Sequence, residues 1–103
     1  MKHIVALLTV VCSAVPALAD IRVDNPRING RALDWCLTPA RQCGRAAADR
    51  YCDMRRMGHA VSFRGQRSGE PTYILGTRET CTTQRFDHCD RFSVIVCSAV
   101  IID

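Results

Sequence analysis

The apolar and polar positions of this chain change their period several times. Residues Ile4 to Val15 are almost uniformly apolar, which is too short a run for a membrane span of about 20 residues. From Arg45 to Met57 the apolar positions recur at helical spacing. Ala47, Ala48, Tyr51, Cys52 and Met54 fall on one side of the wheel, while Arg45, Asp49, Asp53 and Arg56 fall on the other. Gly44 precedes this stretch, Gly58 follows it, and Arg55 and Arg56 occupy the last turn, where cations suit the helix dipole. The pattern predicts a helix over 45–57 with Cys52 turned to the core. Beyond Gly58 the period becomes two: Val61 and Phe63 alternate with Ser62 and Arg64, which predicts a strand followed by a loop over Gly65 to Gly69.

The remaining segments read less uniformly. Ile21 to Gly30 collects Asp24, Asn25, Pro26, Asn29 and Gly30, turn formers that suit an ordered arm better than a strand. Ala32 to Leu37 forms a short candidate strand carrying Trp35 and Cys36, interrupted by Thr38 and Pro39. Thr72 to Leu75 resumes β-type residues, and Phe92 to Cys97 is the most β-like run, expected to be a central strand. Between them, Cys81 to Arg91 is a polar excursion whose shape depends on its bridges. The apolar tail, Ser98 to Ile102, is expected to continue the last strand or to cover part of the core. The predicted class is α+β: one helix packed on a small antiparallel sheet, stapled by disulfides.

Lys2 and His3 ahead of the apolar run, with Ala17-Leu18-Ala19 after it, read as a signal peptide over 1–19. The expected mature product is a single disulfide-rich domain over 20–103, secreted or periplasmic. Cys12 would leave with the signal peptide, so that six cysteines remain: Cys36, Cys43, Cys52, Cys81, Cys89 and Cys97. An even set in a small exported domain reads as three disulfides. Fifteen pairings are open and the sequence alone does not choose among them; Cys52 with Cys97 is expected because both should face the core, and Cys36–Cys43 and Cys81–Cys89 would be local bridges. A zinc site is not expected, because no C-x-x-C pair exists and His59 and His88 stand apart from any such spacing.

Charge narrows the function classes. After the signal segment, thirteen arginines and ten carboxylates leave a net charge of +3, and no lysine remains. Arginine without lysine reads first as a compositional bias of the coding sequence, and second as bidentate recognition of carboxylate, sulfate or phosphate. Acids interleave with the arginines, so the basic stripe of a nucleic-acid binder is missing. No catalytic fingerprint appears either: the thiols are expected to be bridged, and no G-x-S-x-G elbow accompanies Asp87-His88. Asp49 and Asp53, one turn apart among arginines, read as a solvated, salt-bridged helix face. No cofactor is implied, and the chain is read as not an enzyme.

Trp35-Cys36-Leu37, Cys43-Gly44, Ala47-Ala48, Tyr51-Cys52, Gly58 with Ala60 and Phe63, Leu75-Gly76, Cys81, Cys89, Phe92 and Cys97 together resemble a group of small exported six-cysteine proteins of bacteria and plants. The resemblance spans nearly the whole expected mature chain and implies a domain type without an activity. The residues themselves favour a non-catalytic binding module for a glycan, a polyanion or another exported protein. A cationic toxin or antimicrobial protein, and a small hydrolase inhibitor, are the competing classes. Binding residues concentrate on loops of a rigid scaffold. The expected ligand contacts are therefore Arg64 and Arg67 around the 65–69 loop, with Trp35 or Tyr73 as a stacking platform for an acidic glycan.

Overall fold

The computed structural model describes residues 19–100. The expected signal segment up to Leu18, including Cys12, and the tail residues Ile101 to Asp103 lie outside the described residues. Among the described residues nine strands and one helix follow one another: β1 Ile21–Asp24, β2 Arg27–Ile28, β3 Arg31–Leu33, β4 Cys36–Thr38, β5 Arg41–Cys43, α1 Arg45–Met54, β6 Ala60–Arg67, β7 Thr72–Tyr73, β8 Thr80–Cys81 and β9 Asp90–Cys97. They form a three-stranded antiparallel sheet in the order β1-β9-β6, a four-stranded sheet β2-β3-β7-β8, and a hairpin β4-β5. The class is α+β, and its one parallel pairing is β3 with β7.

β9 is the central strand that its β-branched run predicts, flanked by β1 and β6. The expected arm over 21–30 is instead β1 and β2. Its turn formers are real turns, with Asn25, Asn29 and Gly30 at positive φ, but Ile21 to Asp24 find a complete ladder on β9 from Cys97 to Val94. A strand edge offered by a distant segment overrides local propensity. The expected loop over Gly65 to Gly69 is likewise strand as far as Arg67, because β9 continues opposite it from Phe92 to Asp90. The predicted strand over 32–37 is two strands, β3 and β4, which break at Asp34 and Trp35 and enter different sheets. At the far end the β9 ladder stops at Cys97, where Ser98 receives Gly58 N–H and donates to His59 O. A Cβ on Gly58 would collide with the carbonyl of Val100, so glycine is required for this close passage.

The helix is shorter than predicted. Arg56 takes a left-handed φ of 58°, Arg56 N–H bonds to Asp53 O, and Met57 N–H bonds to Cys52 O. These two bonds close a Schellman turn, so the helix ends at Met54 with no cation in its last turn. Met54, assigned to the apolar side, is 52% exposed. Asp49 is not part of a purely solvated face. Its Oδ1 accepts Ala60 N–H at 2.8 Å, while Arg45 donates to Ala60 O at 3.0 Å, so both backbone groups of the first β6 residue are held by the helix.

Ala47, Ala48, Tyr51 and Cys52 bury against Leu33, Ala60, Leu75, Phe92, Ile95 and Cys97 in the main core. A satellite core contains Ile74, Cys81 and Cys89, with Phe86 packed on it. The three disulfides are Cys52–Cys97, which ties α1 to β9, Cys36–Cys43, which crosses the β4-β5 hairpin, and Cys81–Cys89, which closes the polar excursion. Among the described residues no helix is long and apolar enough to cross a membrane.

Candidate functional site

The four sequence-selected contact residues do not converge on one place. Trp35 lies between β3 and β4, with its ring against Phe92 at 4.7 Å and edge-on to Phe63 at 5.6 Å. Across from it, β6 has glycine where any side chain would collide: a Cβ on Gly65 would stand 2.5 Å from Cε3 of the indole. The half-buried indole is thus seated on bare β6 backbone. Trp35, Gly65, Gln66, Arg67 and Asp90 line an open groove of about 450 Å³. Arg67 is in this groove, its Nε 3.4 Å from Asp90 Oδ1.

Arg64 is elsewhere. It stands three residues before Arg67 on the same strand, so the alternation of β6 turns the two to opposite faces, and Arg64 lines a separate groove of about 280 Å³ with Arg22, Ser62, Phe63 and Val94. Tyr73 belongs to β7, pairs with Thr80 and packs against the main core, so it provides no platform beside either arginine. Strand alternation along β6 therefore divides the two arginines that the sequence places on one loop.

The segments 68–71 and 82–89 approach each other, as Ser68 N–H bonds to Cys89 O at 2.8 Å, and together they line a cavity of about 360 Å³. The arginines in and beside these segments serve other contacts. Arg85 pairs with Glu79 at 3.0 Å, and buried Arg91 lies 3.7 Å from Glu70, which also pairs with Arg27 at 2.8 Å. The Arg27 hydrogen bond is the main reason that Glu70 titrates below the usual glutamate range.

Asp90 joins the Trp35 groove to a second, narrower cavity of about 170 Å³, whose lining includes Asp34, Ile74, Phe86, Asp87, His88 and Asp90. His88 stands between two carboxylates, Nδ1 being 3.5 Å from Asp87 and Nε2 3.3 Å from Asp90. Asp87 and His88 are thus in contact, although neighbours on an extended chain point apart. Asp34 is buried, and its carboxylate accepts Cys36 N–H at 2.8 Å and the Thr72 hydroxyl. Burial pushes the Asp34 carboxyl above the usual aspartate range. The two hydrogen bonds oppose that rise, and the nearby Asp90 charge adds to it.

Sequence reasoning considered His88 only as a metal or catalytic group and set it aside, and it passed over Gln66, Asp90 and Asp34. Asp90 enters the site through strand register, which sets it opposite Arg67 across β6 and β9. Among the described residues, no group of three or more His, Cys, Asp and Glu side chains is arranged to hold a metal. No family model, curated protein or solved structure matches the chain.

Proposed function

We propose that this protein is an exported, non-catalytic binding module that engages an acidic glycan at the groove of Trp35, Gln66, Arg67 and Asp90. The observation that carries the reading is the half-buried indole bordered by planar polar side chains. An aromatic face packs against the apolar face of a sugar ring, while guanidinium, amide and carboxylate groups bond hydroxyls and carboxylate or sulfate. The rigid backing supports the same reading. Trp35 is held by Phe63, Phe92 and the Gly65 backbone, so little side-chain freedom is lost on binding. Export is supported by the signal-like leader and by three disulfides in a small domain, the usage of oxidising compartments.

Binding of the oxidised protein to immobilised polygalacturonate and dextran sulfate, at low and moderate salt, tests the proposal. Arg67→Glu should abolish measurable binding, and Arg64→Glu, in the other groove, should retain it. Absence of binding by the wild type, or equal binding by the Arg67→Glu variant, refutes the reading.

A further inference from the structure

The Trp35 groove and the narrow cavity beside it share one carboxylate. Asp90 directs Oδ1 to Arg67 Nε at 3.4 Å and Oδ2 to His88 Nε2 at 3.3 Å. The cation that faces the proposed ligand and the imidazole of the neighbouring cavity therefore compete for the same group. The other imidazole nitrogen faces a second carboxylate, Asp87, at 3.5 Å. A neutral imidazole carries one N–H and one lone pair, so it can donate to only one of the two carboxylates and must turn its lone pair to the other. Only the imidazolium, with two N–H groups, satisfies both.

We propose that His88 is a pH sensor for the anion site, with its protonation strengthening the hold of the Trp35 groove on an anionic ligand by drawing Asp90 away from Arg67. The inference rests on the binding reading above and names the regulation of that site. Histidine is the side chain whose charge changes between pH 5 and 8. With His88 neutral, the carboxylates of Asp87 and Asp90 outnumber the cation paired with them, Arg67 on Asp90, and an approaching anion meets an excess of negative charge. With His88 protonated, the second cation balances this set and Arg67 is released from sole service to Asp90. Asp34 is the remaining titratable group lining the narrow cavity. It would add charge in the same direction on protonation, so replacing His88 must separate the two contributions.

The probe is a sulfated glucan oligosaccharide, whose own charge is constant over this range. Wild-type affinity should rise about fivefold from pH 8 to pH 5, the scale of one exposed charge pair. His88→Gln should abolish the rise. A rise that persists in His88→Gln overturns the proposal, because Asp34 or another group would then be the sensor. A second measurement needs no ligand: the carbon-13 resonances of the Arg67 guanidinium and the Asp90 carboxyl should shift with the midpoint of the His88 ring signals. Resonances that do not follow His88 overturn the switch whatever the binding shows. If they do follow His88 while no sulfated ligand binds, the switch stands and the groove reading fails.

Discussion

Removing the Cys52–Cys97 bridge should destabilise this domain more than removing either of the other two. Its half-cystines are 45 residues apart, against separations of 7 and 8 for Cys36–Cys43 and Cys81–Cys89. In the chain-entropy model a closed loop of that length restricts the unfolded chain by about 4 kcal/mol, whereas the short loops contribute about 2.5 kcal/mol each. Packing widens the difference. Cys52 and Cys97 are both fully buried among Tyr51, Ala60 and Ile95, so truncation to alanine also removes core contacts. Cys43, by contrast, lies on an exposed hairpin strand. The double variant Cys52→Ala/Cys97→Ala should therefore lose about 4 kcal/mol or more, most of the roughly 5 kcal/mol expected of a small domain. Urea unfolding of the oxidised proteins, followed by near-ultraviolet circular dichroism with the single Trp35 as reporter, gives the comparison. The reasoning fails if Cys36→Ala/Cys43→Ala costs as much as Cys52→Ala/Cys97→Ala, since loop length and burial would then not govern the outcome.

Asp49→Ala should cost about 1–3 kcal/mol, because it leaves the N–H of buried Ala60 without its acceptor; Asp53→Ala, on the exposed face, should be close to neutral in the same unfolding assay. Glu70 supplies the pH dependence. Its folded value lies below the ordinary 4.5, so the stabilisation from Arg27 and Arg91 is fully present above the unfolded value and is lost as pH falls through the folded one. Glu70→Gln should be less stable than the wild type at pH 7, and the gap should close below pH 4; a gap of constant size would show that ionisation of Glu70 is not what the arginines stabilise.

The local features of this protein were legible because each depends on near neighbours. Helical spacing from Ala47 to Cys52 marked the buried face of α1, the β-branched run from Val94 to Val96 marked the central strand, and Cys52 and Cys97 on those two faces indicated the long disulfide. The end of α1 was misplaced, because residues 56 and 57 closed a Schellman turn on an arginine rather than on Gly58. What needed the tertiary structure was each feature made by strands distant in the sequence. β1 became a strand because β9 offered it an edge, and β6 ran past Gly65 because β9 continued beside it. The candidate site follows the same division. Arg64 and Arg67 are three residues apart, and because β6 continues through both as a strand, alternation sends them to different grooves, while Trp35 meets Gly65 and Asp90 only after β3, β6 and β9 have assembled. Residue type and period report which face of an element is apolar. Strand register decides which side chains from separate elements share a groove, and register is a property of the pair rather than of either strand.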